Sequence, residues 1–196
     1  METKTSPSEY RFYAFISYSR KNEVWASWLQ KKLELYRLPS VLQKQYPQIP
    51  KPLKIFRDKT DISVGGTVEH ALAKELRVSK KLIVICSPDS AKSDYVEYEI
   101  ASFLKLGHDT TDILPLVVEG VLCPDAENHC YTPLLTNLNL NAADAVQEGK
   151  SNAFIRLLAS LLEINYDDLK QREKKRKVRR TFFAGSAAFL FASFSC

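Results

Sequence analysis

Glu99 is the residue of this chain whose position best suits it to act on a ligand. It follows an apolar stretch of strand length, Leu82–Cys86, and a polar turn, Ser87–Ser90, and it lies inside the helical pattern that comes next. Open α/β sheets bind their ligands at the carboxyl ends of their strands, so this carboxylate is predicted to face such a crevice. Its spacing from Val96 and Phe103, three and four residues away, puts it on their buried side.

Two interpretations of Glu99 remain open from its spacing alone. A carboxylate held at the edge of a core can stabilise the positive charge that develops on a reacting substrate. It can equally form an ion pair with a nearby arginine, in which case its role is structural. Glu97, two residues earlier, falls on a different side of the helix and is expected to face water.

Several common catalytic and cofactor-binding patterns do not occur in the sequence. No Gly-x-Gly-x-x-Gly segment follows the first apolar strand, which argues against a dehydrogenase-type dinucleotide site. The three histidines form no hydrolase pattern with a serine or a cysteine. Cys123, His129 and Cys130 lie close together, but three ligands without a Cys-x-x-Cys pair favour a loop over a metal site. The sequence therefore predicts no metal and no bound cofactor, and its four cysteines do not indicate a disulfide framework.

Positive charge is concentrated in one part of the chain. The 196 residues carry a formal net charge of +5, and their 45% hydrophobic and 26% charged content is typical of a globular protein. Lys170–Arg180 holds eight lysines and arginines against a single acid, Glu173. The remainder is therefore mildly acidic, and the composition does not indicate a nucleic-acid-binding surface.

An uncharged segment, Thr181–Cys196, follows the basic block directly. As a helix it would span about 24 Å, slightly less than the roughly 30 Å hydrocarbon core of a bilayer. Dense lysine and arginine beside an apolar segment is typical of the cytoplasmic side of a transmembrane helix. We therefore predict a membrane span, shortened if the chain comes from a longer protein, that anchors a cytoplasmic domain to the inner (cell) membrane. The alternatives are a buried or amphipathic C-terminal helix, or a basic arm that binds anionic lipids.

Strand and helix patterns alternate along the rest of the chain. Apolar runs predict strands at residues 12–17, 53–56, 82–86, 113–118 and 138–140. Helical spacing predicts helices that begin at Asn22 and at Thr67, a helix from Ser90 to Gly107, and a last core helix that contains Phe154. Four prolines between residues 38 and 52 predict a long connection without regular structure. The alternation indicates an α/β fold with a parallel sheet and helices on both of its faces.

Three segments resemble the signature boxes of Toll/interleukin-1 receptor (TIR) domains, in the order and spacing of that family. Phe15–Arg20 is similar to the first box, and Phe56–Asp58 through Gly65-Gly66 is similar to the second box and its loop in bacterial members. The third segment is similar to the exit of the third strand and comprises Ser87–Ser90, Ser93, Tyr95, Val96 and Glu99. The resemblance covers about residues 10–165 and implies a flavodoxin-like open parallel sheet of five strands.

The resemblance also implies a reaction. In many TIR domains the glutamate that matches Glu99 is needed to cleave NAD⁺ between nicotinamide and ribose, so the family resemblance implies an NAD⁺ glycohydrolase or cyclase. Nicotinamide in NAD⁺ is already a cationic leaving group, so one carboxylate is adequate where ordinary glycosidases use two. The resemblance implies NAD⁺ as the substrate, and the products would be nicotinamide and ADP-ribose or a cyclic isomer of it. The substrate-binding residues implied by the resemblance are Tyr18, Ser19, Arg20, Arg57, Ser93 and Tyr95.

The loop after the second strand is implied to mediate assembly. TIR domains of this kind commonly act when they are self-assembled, with this loop docked onto a neighbour. The assembly loop would comprise Asp58, Asp61, Ile62, Ser63, Val64, Gly65 and Gly66. Val64 stands where many members have proline, and Arg57 with Asp58 is equally consistent with a loop-closing ion pair.

The organisation implied is a polar lead over 1–9, a TIR domain over 10–165, a basic juxtamembrane segment over 166–180 and a transmembrane helix over 181–196. Anchoring to a membrane would raise the local concentration of the domain and so favour its self-association. The expected setting is bacterial defence or signalling. The alternative function is a non-catalytic adaptor module that recruits other TIR proteins through the same loop.

Overall fold

A computed structural model of the chain describes residues 10–57 and 66–193, and the side chains of residues 10–57 and 72–179. Within these residues, five parallel strands form one open sheet. The strands are β1 (Phe12–Ser17), β2 (Ile55–Arg57), β3 (Ser79–Cys86), β4 (Ile113–Val117) and β5 (Ala143–Asp144). Their order across the sheet is β2-β1-β3-β4-β5, and every pair is parallel. The predicted flavodoxin-like five-stranded sheet is confirmed. The strand order reverses between β1 and β3, which is where such sheets bind ligands.

Helices cover both faces of the sheet, as predicted. They are α1 (Glu23–Glu34), α2 (Ser40–Gln45), α3 (Gly66–Arg77), α4 (Pro88–Ala91), α5 (Asp94–Lys105), α6 (Pro133–Leu138), α7 (Lys150–Leu162) and α8 (Tyr166–Ser193). One core contains Ala14 and Ile16 of β1 together with α1 and α7, and the other contains Phe15 together with α3, α5 and α6. Because side chains alternate along a strand, β1 contributes to both cores in turn.

Two of the predicted segments differ from the structure. Residues 38–52 contain a helix, α2, because their prolines flank it: Pro39 precedes its first residue, and Leu42 is fully buried. The predicted fifth strand at 138–140 is instead the end of α6, which Asn139 terminates in the left-handed conformation. The strand β5 follows at Ala143–Asp144.

The helix predicted from Ser90 to Gly107 is two helices, α4 and α5. Ser87 and Ser90 form a capping box at the start of α4. The side chain of Ser93 then accepts a hydrogen bond from the backbone N–H of Val96 and caps α5. Two successive N-caps explain why the chain breaks between the helices, since each cap residue has an extended backbone.

Helix α8 joins the basic block and most of the uncharged segment in one helix of 28 residues. Within residues 10–57 and 66–193, no helix is both long enough and apolar enough to cross a membrane. The predicted transmembrane helix over 181–196 is therefore not supported. The predicted lead over 1–9 and the last three residues lie outside the described part of the chain.

Gly120 lies in the turn after β4, where the neighbouring backbone leaves no room for a side chain. Its φ is +87°, and a Cβ atom there would lie 2.4 Å from the backbone oxygen of Asn128 and 3.1 Å from Cβ of Cys130. Gly149 has a similar φ of +78°, but a Cβ atom there would meet nothing within 4 Å. The two glycines therefore separate the cost of a positive φ from the cost of a steric clash.

We expect Gly120→Ala to destabilise the protein by about 1–3 kcal/mol more than Gly149→Ala, because only the first forces the backbone apart. Both substitutions carry the smaller cost of placing alanine at positive φ. Chemical denaturation of the two variants and the parent chain measures the difference. Equal losses of unfolding free energy would contradict the close approach of Gly120 to Asn128.

Candidate functional site

Glu99 lies against the carboxyl end of β1, at the point where the strand order reverses. It belongs to α5, and only 1% of its surface is exposed. Its Oε2 accepts a hydrogen bond from Oγ of Ser17, the last residue of β1, which is itself fully buried. A buried carboxylate with a hydroxyl donor is held in one orientation, because an unsatisfied charge in this position would be costly.

Polar contacts join the segments that follow β1 and β3. The backbone N–H of Ser87 donates to Oγ of Ser90 at 2.6 Å, and Oγ of Ser87 donates to Oδ1 of Asn22 at 2.8 Å. Ser87, Ser90 and Asn22 are all buried, and the bond between Ser87 and Asn22 fixes the two segments relative to each other. Nearer the surface, the Lys21 ammonium lies 2.7 Å from Oδ1 of Asp89. This exposed pair adds little stability.

Arg57, the last residue of β2, holds the start of α1 against the sheet. Its side chain is 4% exposed and forms an ion pair with Glu23. Its Nε donates to Oε1 of Gln30 at 3.0 Å, and its Nη1 donates to the hydroxyl of Tyr18 at 3.3 Å. Each of these contacts lies within the domain. The predicted ion pair of Arg57 with Asp58 is not tested, because Asp58 lies outside the described residues.

The charge states of this cluster follow from its burial. Burial acts to lower the pKa of Arg57, but hydrogen bonds to Glu23 and Tyr18 outweigh it, so the pKa of the guanidinium is raised. Burial, together with the hydrogen bond to Glu23, raises the pKa of Tyr18 to about 12. At neutral pH the cluster therefore contains a cationic Arg57 and a neutral Tyr18 phenol.

The predicted residues Ser93 and Tyr95 lie at the start of α5, the helix that carries Glu99. Tyr95 precedes Glu99 by four residues, so both lie on one side of the helix, and Tyr95 is 37% exposed where Glu99 is buried. Ser93 is half-buried and caps the helix. The aromatic ring is therefore at the mouth of the site and the carboxylate is behind it.

Of the remaining predicted residues, Ser19 and Arg20 follow β1, and most of the predicted assembly loop lies outside the described residues. Ser19 is half-buried and precedes the 3-10 turn Arg20–Asn22, in which Arg20 is exposed. The predicted assembly loop lies outside the described residues for Asp58, Asp61, Ile62, Ser63, Val64 and Gly65. Gly66 begins α3.

The expectation that Glu97 faces water was wrong. Its carboxylate accepts hydrogen bonds from the backbone N–H of Leu134 at 3.0 and 3.4 Å, at the start of α6. An acidic side chain at a helix N-terminus is favourable, because the first N–H groups of a helix have no partner within it. Glu97 and Glu99 lie on the same helix but have different hydrogen-bond partners, Leu134 and Ser17.

Sequence reasoning missed the partners that fix these side chains. Ser17, Asn22, Glu23 and Gln30 were not predicted as site residues, although each bonds to a residue near the strand ends. For Ser17 there was a signal, because it is the polar end of an otherwise apolar strand. Glu23 and Gln30 gave none, since they read as the outer face of an amphipathic helix.

Two of the three clustered residues Cys123, His129 and Cys130 have contacts within the fold. Nε2 of His129 lies 3.1 Å from the hydroxyl of Thr136, and Cys130 is buried in the second core. In the part of the chain that the structure describes, no three His, Cys, Asp or Glu side chains are grouped so that they could hold a metal ion.

Three comparisons relate the chain to known proteins. Part of it is 30% identical, over 118 residues, to NAD(+) hydrolase ApTIR from Actinoplanes sp.; the match covers 60% of this chain but only 15% of that relative. The TIR domain of the Toll-related receptor TRR-2 from Hydra magnipapillata aligns with a TM-score of 0.49 at 16% identity, over 78% of this chain and 98% of that one. The TIR domains of the activated Roq1 resistosome align with a TM-score of 0.47 at 15% identity, over 76% and 98%. The family model for the TIR domain matches residues 14–158, which is more than half of the sequence, and the chain therefore belongs to the TIR domain family.

Proposed function

We propose that this TIR domain cleaves NAD⁺ at the bond between nicotinamide and ribose. The observation that carries the proposal is the buried pair of Glu99 and Ser17 at the point where the strand order reverses. The partial similarity to an NAD(+) hydrolase supports it. The substrate is NAD⁺, and the reaction needs no further cofactor.

One carboxylate is sufficient for this chemistry. The bond between the nicotinamide nitrogen and C1′ of the ribose breaks with both electrons on nitrogen, which neutralises the leaving group. Positive charge then develops on the ribose, and the Glu99 carboxylate stabilises it. The oxygen of a water molecule bonds to C1′ and loses a proton to give ADP-ribose. If a nitrogen of the adenine attacks C1′ in place of water, the product is a cyclic isomer.

The other side chains of the site position Glu99 or the substrate and do not themselves react. Ser17 donates a hydrogen bond to Oε2 of Glu99 and so fixes the orientation of the carboxylate that acts on the ribose. Tyr95, at the mouth of the site, offers an aromatic face to the nicotinamide ring, with Ser93, Tyr18, Ser19 and Arg20 around it. The contacts of Arg57 with Glu23, Gln30 and Tyr18 support a role in holding α1 to the sheet instead of direct substrate binding.

The low exposure of Glu99 supports control by self-association. Only 1% of the surface of Glu99 is accessible, so NAD⁺ reaches the carboxylate only after the surrounding side chains move. A TIR–TIR contact that binds the open form better than the closed form would increase the population of the open form. The docking role of residues 58–66 and the setting in bacterial defence or signalling stay predictions.

The test is release of nicotinamide from NAD⁺ by the full chain, measured at a dilution where it is monomeric and at a concentration where light scattering shows self-association. We expect release per molecule to rise by at least about tenfold on association, because effective concentration drives assembly. Self-associated protein that releases no nicotinamide would favour the adaptor function. Equal release by the monomer would refute control by assembly.

A further inference from the structure

A solvent-accessible groove lies between α1, α7 and α8, on the face of the sheet opposite α5. Its volume is about 590 Å³, within the range of small-molecule sites. Its aromatic wall consists of Trp28, Tyr36 and Phe154, whose rings are T-shaped neighbours with Phe154 between the other two. Glu99 and the carboxyl ends of the strands do not line this groove.

Positive charge dominates the lining of the groove. Among the described residues that line it, one is acidic, Glu173, and six are basic: Lys31, Lys32, Arg37, Lys150, Arg176 and Lys177. Glu173 is engaged by the hydroxyl of Tyr36 at 2.9 Å and by Nη1 of Arg176 at 3.4 Å. Lys31, Lys32 and Lys150 line the same groove, so its described lining carries a positive net charge, which favours an anionic ligand.

Aromatic contacts hold part of this charge in place. The Lys150 ammonium lies 4.1 Å from the ring centroid of Trp25 and 4.0 Å from that of Trp28. The Lys32 ammonium lies 5.6 Å from the ring centroid of Phe154. Cations fixed over aromatic faces lose less conformational freedom when they bind an anion, so the groove is partly pre-organised.

We propose that this groove is a second ligand site and that it binds a nucleotide. Lysine and arginine side chains would bind its phosphates, because these groups match the charge and the hydrogen-bond acceptors of phosphate. The aromatic wall would contact the base, since aromatic side chains stack on nucleobases. The proposal stands on the charge and shape of the groove alone and is independent of the reaction at Glu99.

The test uses the two tryptophans of the chain, Trp25 and Trp28, which both contact Lys150. ADP and pyrophosphate are titrated into the full chain and into the double variant Lys31→Gln/Lys150→Gln, with tryptophan fluorescence and calorimetry as readouts. We expect saturable ADP binding that is tighter than pyrophosphate binding and that weakens by at least about tenfold in the double variant. Lys105→Gln, which removes an exposed lysine at the end of α5, is the control for loss of positive charge outside the groove and should change the affinity by less than about twofold.

Two further arms separate this site from others. Glu99→Gln should bind ADP with unchanged affinity in the same titration, whether or not the chain releases nicotinamide, so the two proposals fail independently. Vesicles of phosphatidylcholine with phosphatidylinositol bisphosphate test the lipid source of phosphate. Binding to these vesicles without binding of ADP would overturn the nucleotide proposal. Equal losses in Lys105→Gln and in the double variant would do the same.

Discussion

Replacing Glu99 by glutamine should reduce release of nicotinamide by about 100-fold or more, because it removes the charge that stabilises the developing cation. Glutamine keeps the volume of the side chain and can still accept the hydrogen bond from Ser17, so the buried site should remain packed. The measurement is kcat/KM for nicotinamide release, taken where the parent chain self-associates. Denaturation midpoints and light scattering then verify that the variant folds and assembles.

Glu97→Gln is the matched control for this experiment. It removes an acidic charge from the same helix two residues away, and its amide oxygen can still accept from the N–H of Leu134. We expect its activity to stay within about threefold of the parent chain, since its charge lies in a contact with α6 and not at the strand ends. If Glu99→Gln were as active as Glu97→Gln, Glu99 would have no part in the reaction.

Phe103→Ala should lower the free energy of unfolding by about 3–5 kcal/mol, the cost of a large cavity in a core. The ring of Phe103 is fully buried and stacks on His108 with 3.8 Å between the ring centroids. It lies four residues after Glu99, so the same helix side supports both the core and the site. Urea denaturation measures the loss.

Two variants calibrate the Phe103 measurement. Phe103→Leu leaves a smaller cavity and should cost about 1–2 kcal/mol. Tyr98→Ala removes a 39% exposed ring from the same helix and should change stability by less than about 1 kcal/mol. If Phe103→Ala cost no more than Tyr98→Ala, the packing of α5 on the second core would be contradicted.

The parts of the fold that were predicted correctly have strong local signals. Strands β1, β3 and β4 are apolar along most of their length because both faces of the sheet are covered, and such runs are easily recognised. Strand β5 has two residues and no apolar run of its own, so it was assigned to a stretch that ends α6. Its place in the sheet is set by hydrogen bonds to β4, which local spacing cannot reveal.

The candidate site was predictable only in part, for the same physical reason. The helical period puts Glu99 on the inner side of α5, and the structure shows that side chain buried. Its partner Ser17 is 82 residues away in the chain, and Arg57 is 34 residues from Glu23. Contacts of this kind depend on which strands are neighbours, so they follow from the topology and not from the spacing of residues.

Helix α1 links two distant parts of the molecule mechanically. Glu23 at its first turn is bound to Arg57 of β2, and Tyr36, two residues beyond its end, donates to Glu173 of α8. Twelve residues of helix make a strut about 18 Å long, and a packed helix shifts as a unit instead of bending. A displacement of α8 should therefore shift α1 and, through it, the ion pair of Glu23 and Arg57 beside Tyr18.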